Sequence, residues 1–131
     1  MAGLDDPGVR DLLEKPNHAF ISTLDPGGSV HSAIVWLSLE DGAVAVNSAL
    51  GRRWPTNLRR DPRATVLVWD LENPYRYVEV SGTATATREG ADGHIDSLAK
   101  KYTGADEFGG RQPGEERIKF VIAPERVRYV E

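Results

Sequence analysis

Short apolar runs with a period of two, each cut off by a strong turn signal, dominate this chain and direct it toward a compact β domain. Residues 18–24 run into Asp25-Pro26-Gly27-Gly28, residues 29–39 into Asp41-Gly42, and the β-branched run at 64–69 is followed by Asn73-Pro74. Each junction places a proline or glycine where the chain has to reverse. At 131 residues the chain holds one domain, spanning 1–131, and 40% apolar residues suffice for a single core without covalent staples. The cysteine count is zero, which excludes disulfides, thiolate zinc sites, a cysteine nucleophile and iron–sulfur clusters.

The pattern predicts seven strands, at 18–24, 29–39, 43–47, 64–69, 75–87, 118–122 and 127–130, the last two joined at Ala123-Pro124. Three short helices are expected at 7–14, 54–61 and 93–102, with Val9, Leu12 and Leu13 turned inward on the first and Ile95, Leu98 and Ala99 on the third. The glycine-rich stretch 104–114 reads as a mobile surface loop. The sum is a mainly β fold, a small closed or partly closed barrel. Strand 29–39 is apolar on both sides, with Val30, Ile34 and Trp36 on one face and Ala33, Val35, Leu37 and Leu39 on the other. A lone barrel would leave one of those faces wet, so a homodimer is expected, with Trp36 or Trp69 losing exposure between subunits.

The net charge of -4 argues against general affinity for nucleic acid. No apolar run approaches the ~20 residues of a membrane span, and the N-terminus lacks the basic and apolar regions of a signal peptide. These features predict a cytoplasmic protein without a membrane span. The basic charge is nevertheless uneven, because five of the sixteen Lys and Arg residues lie between Arg52 and Arg63.

That cluster sits in the segment Asn47-Ser48-Ala49-Leu50-Gly51-Arg52-Arg53-Trp54-Pro55-Thr56-Asn57-Leu58-Arg59-Arg60-Asp61-Pro62-Arg63. A strand ends at polar Asn47 and Ser48, Gly51 permits a turn, and Pro55 stands in the first turn of a helix. Helix amides and the positive end of the helix dipole then lie beside Arg52 and Arg53, a construction suited to an anion. Arg53, Asn57 and Arg60 share one helix face, while Trp54 and Leu58 share another that can anchor the helix on the barrel. The competing reading is a solvated basic helix paired with Asp61, Asp70 or Glu72.

The string Gly51-Arg52-Arg53, the run Asn57-Leu58-Arg59-Arg60-Asp61-Pro62-Arg63, the apolar strand after it and Glu79-Val80-Ser81-Gly82-Thr83-Ala84 together resemble the flavin and deazaflavin oxidoreductases of split β-barrel fold. These are relatives of pyridoxamine 5'-phosphate oxidase, and the likeness leans toward the subgroup that uses coenzyme F-420. The resemblance implies a split barrel of six or seven strands that dimerises around two interfacial cofactor sites. It implies that the backbone at Ala33, Ile34, Val35 and Trp36 passes the pyrimidine edge of the isoalloxazine ring. It assigns Val46, Asn47 and Ser48 to the ribityl chain or ring, and Arg52 and Arg53, with Asn57 on the same helix, to the phosphate region. Tyr75, Arg76 and Tyr77 would come from the partner subunit. One departure is that Trp54 stands where the family often carries a lysine.

His18, His31 and His94 lack metal-ligand spacing, so no metal is expected, and no hydrolase, Walker or dinucleotide-fold motif is present. No general acid or base stands out, and none is required if a reduced cofactor carries the hydride. Tyr75, Tyr77 and His31 are the side chains offered to substrate, although a histidine on a strand surface is commonplace. The resemblance thus implies an enzyme that passes hydride from reduced F-420 to an electron-poor small-molecule acceptor such as a quinone, an enone or a tetrapyrrole. FMN is the alternative cofactor, and a carrier without turnover is the alternative role.

Overall fold

The computed structural model describes residues 3–131. Helix α1 (Pro7–Glu14) has the expected bounds: Asp6 caps it by accepting from the Gly8 amide at 2.9 Å, and Val9, Leu12 and Leu13 are fully buried. Strands β1 (Ala19–Leu24), β2 (Val30–Val35), β3 (Leu37–Glu40) and β4 (Ala43–Ala49) lead to helix α2 (Arg53–Arg60). Strands β5 (Arg63–Trp69) and β6 (Tyr77–Thr87), helix α3 (Ala91–Thr103) and strand β7 (Arg117–Val130) complete the chain. All seven strands form one antiparallel sheet in the order β2-β1-β5-β6-β7-β4-β3. Its two edge strands are joined through Trp36 alone, so covalent continuity curls the sheet into a half-barrel around the core. Among the described residues no helix is long and apolar enough to cross a membrane.

The strand total matches the expectation, but the chain is divided into strands differently at two places. Residues 29–39, expected as one strand, form two, which pair at opposite sheet edges. The break is held by α3. The Tyr102 hydroxyl accepts from the Leu37 amide at 3.3 Å and donates to Asn17 O, and Lys101 Nζ donates to Leu37 O at 2.7 Å and Leu13 O at 2.6 Å. Trp36 lies flat on Tyr102, with ring centroids 5.2 Å apart.

Conversely, the two expected C-terminal strands are one. Pro124 is tolerated inside β7 because the register jumps there: Ser81 faces Arg126 while Gly82 faces Pro124, which leaves Glu125 as the extra residue of a bulge. Gly82 is required at this point, since a Cβ would lie 1.9 Å from Ala123 O. The 104–116 segment is fastened rather than free, because Asp96 of α3 accepts from both the Phe108 amide and Arg111.

The interior is filled by residues such as Ile21, Leu37, Val44, Val46, Val66, Val80, Phe120 and Ile122, all 0–1% exposed. Trp54 and Leu58 anchor α2 on this core, with Trp54 packed on Phe120. Within one chain β2 is covered on one face only, as expected of a lone barrel. Val35 is buried, but Val30 is 68% and Ile34 63% exposed. They belong to an outward face on which Ile34, Phe20, Leu67, Glu79 and Arg128 stand in register across five strands.

Candidate cofactor cleft

Where β2 ends at the Trp36 corner, a cleft of about 200 Å³ opens between the sheet, α2, α3 and the 104–116 segment. Ile34, Val35 and Trp36 form one wall, Asn47 and Ser48 of β4 the floor, and Arg52 and Trp54 the end at α2. Ile95, Leu98, Phe108 and Arg117 close the opposite side. The Trp36 indole is fixed by Tyr102 on one face and by the edge of Phe108, 6.1 Å away. The cleft is therefore aromatic along its length and cationic at its end.

A buried polar node lies under the floor. Arg117 is 4% exposed, and its Nε donates to Asn47 Oδ1 at 3.0 Å. Because a guanidinium only donates, this contact fixes the Asn47 amide, whose Nδ2 then donates to Ala91 O at 2.9 Å and to His94 Nδ1 at 3.0 Å. His94 is thereby the neutral Nε2–H tautomer, donating to Ser38 Oγ at 3.0 Å. Burial first, and then the positive charge of Lys119, pushes its pKa down to about 4. Burial likewise lowers the Arg117 pKa, against the pull of the neighbouring Glu115 carboxylate.

Six of the residues expected at the site thus meet in one cleft: Ile34, Val35, Trp36, Asn47, Ser48 and Arg52. The remainder stand elsewhere. Ala33 is partly buried behind Ile34, and Val46 points into the core. Arg53 forms a two-pronged bond with Asp25, at 3.0 and 2.5 Å, and Asn57 bonds Thr23 and Asp25. Arg53 and then Asn57 hold the Asp25 pKa down to about 2, and the cluster ties α2 to the β1–β2 hairpin. Arg76 bonds Tyr129 Oη, Gly8 O, Asp70 and Asp11, fastening α1 to the barrel. Tyr75 is 83% exposed in the turn before β6, and Tyr77 lies on the outward face beside Phe20, Leu67 and Trp69. His31 is half-buried near Asp25 and does not line the cleft.

The basic segment is partly neutralised, because Arg63 pairs with Asp61 as the competing sequence reading anticipated, and Arg53 pairs with Asp25. Arg117, Phe108, Ile95 and Leu98 were not among the residues expected at the site. They come from α3, the segment after it and the first residue of β7, where no local motif distinguishes them from ordinary packing residues.

The pyridoxamine 5'-phosphate oxidase family profile matches residues 6–131, and the chain belongs to that family. Its split-barrel fold recurs in an F420 reductase, 23% identical, with a TM-score of 0.79 over 91% of this chain and 94% of that one. A conserved hypothetical protein of Mycobacterium tuberculosis is 22% identical, with a TM-score of 0.77 over 97% of this chain and 84% of that one. A putative pyridoxamine 5'-phosphate oxidase of Listeria innocua is 21% identical, with a TM-score of 0.69 over 92% and 94% of the two chains. No curated protein matches the chain at a significant level.

Proposed function

We propose that the protein is a homodimeric oxidoreductase that binds coenzyme F-420 in the cleft at Trp36 and reduces an electron-poor small molecule such as a quinone, an enone or a tetrapyrrole. The observation that carries this reading is the meeting of the β2 wall at Ile34, Val35 and Trp36, the Ser48 floor and the Arg52 cation in one aromatic cleft. The donor set fits a flat heterocycle with an anionic tail: planar side chains for the ring system, cations for the phosphate. In one chain the cleft is smaller than the ~300–1,000 Å³ that usually encloses a ligand of this size. It lies beside exposed Ile34, so a second copy seated on the outward face would complete it and bring its own Tyr75 and Tyr77 near.

When bound in reduced form, the cofactor supplies the hydride. The chain's own residues bind and orient. Trp36, held flat by Tyr102, and Phe108 exclude water from the ring position, while Arg52 attracts the phosphate. Arg52→Ala is expected to weaken cofactor binding roughly ten- to hundredfold, the value of one charge-assisted hydrogen bond. Arg53→Ala should do less, because its guanidinium serves Asp25 and does not line the cleft.

FMN is the second reading, favoured by the internal pairing of Arg53 and Arg63, which leaves fewer cations for a long acidic tail. Titration with FMN, F-420 and its tail-less precursor at low and moderate salt separates the two. Tighter binding of F-420, falling with salt and rising with tail length, supports the deazaflavin. Equal or tighter binding of FMN, with yellow protein purified from a host lacking F-420, replaces it with FMN. Adding acceptors and following the absorbance of the reduced cofactor tests turnover; binding without oxidation by any acceptor identifies a carrier instead.

A further inference from the structure

At the cationic end of the cleft, Glu115 lies between two arginines. Its Oε1 accepts from Arg52 Nη2 at 2.9 Å and stands 3.1 Å from Arg117 Nη1. The Glu115 and Arg117 side chains are 6% and 3% exposed, whereas Arg52 is half exposed. The arrangement is incomplete. Arg117 Nη1 approaches the carboxylate without an aligned hydrogen bond, and both that nitrogen and Glu115 Oε2 are buried with no hydrogen-bond partner. Two guanidiniums face one carboxylate, so positive charge is in excess, and unpaired buried polar atoms are costly. Arg117 is nonetheless rigidly placed, with Nε held by Asn47 and its face covered by Phe108 at 5.2 Å.

We propose that Arg52 and Arg117 form a two-guanidinium seat for the phosphate of the cleft's ligand, and that Glu115 is the chain's own plug in that seat. The seat rests on the cofactor reading above and adds to it a second cation and an internal competitor. A phosphate presents several acceptor oxygens at one centre, so it can satisfy Arg52 and the idle Arg117 Nη1 together, which the single bonded carboxylate oxygen does not.

Release of the plug is a local movement. Glu115 follows Gly114, whose φ is +76°, and its amide closes a tight turn onto Gln112 O. The chain on either side is anchored, at Phe108 and Arg111 by Asp96 and at Glu116 O by the Leu50 amide. Only the short turn between these anchors has to swing.

Trp36 and Trp54 line the cleft, so tryptophan fluorescence reports occupancy. The test titrates the wild-type protein, Glu115→Gln, Glu115→Ala and Arg52→Ala with inorganic pyrophosphate, FMN, F-420 and phosphate-free riboflavin. Loss of the plug's charge is expected to tighten pyrophosphate and FMN about tenfold while leaving riboflavin unchanged. Arg52→Ala, at an exposed side chain that the fold does not need, should abolish the pyrophosphate response. Unchanged or weaker phosphate binding in the Glu115 variants, or an undiminished pyrophosphate response in Arg52→Ala, overturns the seat. Failure of every flavin and deazaflavin to bind any of the proteins would instead sink the cofactor reading, and the pyrophosphate titrations would still decide the seat.

Discussion

Asn47 shows how one side chain can carry a site without offering it a free atom. Its carbonyl is taken by Arg117 and its amide by Ala91 O and His94, so its part is to position the Arg117 guanidinium. Asn47→Ala strips a partner from three buried groups at ~1–3 kcal/mol each, and a loss of about 3 kcal/mol or more is expected in urea unfolding. The same node makes stability depend on pH. Protonated His94 would set a ring N–H against the Asn47 amide, so the folded chain stays neutral at His94 down to about pH 4, while the unfolded chain protonates near 6.5. Between those values the unfolded state binds more protons, so stability falls as pH falls and is flat in this respect above 6.5 and below 4. The one-proton slope is ~1.4 kcal/mol per pH unit, and about 1 is expected because the ring keeps some solvent contact. His94→Gln should lose that slope; an identical pH dependence of the unfolding midpoint in wild type and variant would refute the assignment. None of this was legible in the sequence, where a lone histidine on an apolar helix face signals nothing about an asparagine 47 positions away.

At the scale of elements, what was legible is what local chemistry decides. Pro7 and Pro16 bracket α1, and an apolar i, i+3, i+4 face at Val9, Leu12 and Leu13 needs no tertiary context to be read. The split of residues 29–39 was illegible, because the side chains that end β2 and start β3 belong to Lys101 and Tyr102, more than sixty residues downstream. The continuity of β7 through Pro124 was hidden for a related reason, since the bulge that accommodates it depends on Gly82 across the sheet. Gly82→Ala would drive a methyl group into Ala123 O, and such overpacking is expected to cost ~1–3 kcal/mol or more by thermal unfolding. Arg76 separates two roles at this scale. The family likeness assigns it to the cofactor, whereas within the chain it joins α1, the β5–β6 turn and β7. Arg76→Ala should therefore lower stability by ~1.5–3 kcal/mol, the value of charge-assisted bonds, and leave cofactor affinity within twofold. A large fall in affinity at unchanged stability would return Arg76 to the site of a partner subunit.

For the molecule as a whole, the proposed dimer turns on the outward sheet face. Its first three strands present Val30, Ile34, Phe20, Leu67 and Trp69, and beside them Ser22 bonds Ser32 and Thr65 bonds Ser81, so that their hydroxyls are mutually satisfied. A face of apolar side chains flanked by self-paired hydroxyls can be buried without stranding those hydroxyls. The cleft opens at its border through Ile34, which belongs to both. Dimer formation and cofactor binding should consequently be linked. Phe20 tests this because it lies on the outward face, stacked on Trp69 at 5.1 Å, and does not line the cleft. Phe20→Lys is expected to convert a dimer of about twice 14.4 kDa to a folded monomer in light scattering. Cofactor affinity should fall at least tenfold with it, although every cleft residue of the chain is intact, and should recover partly as protein concentration is raised. A wild-type protein that scatters as a monomer at micromolar concentration, or a monomeric Phe20→Lys that binds cofactor as tightly as wild type, would confine the site to one chain and remove Tyr75 and Tyr77 of a second copy from it.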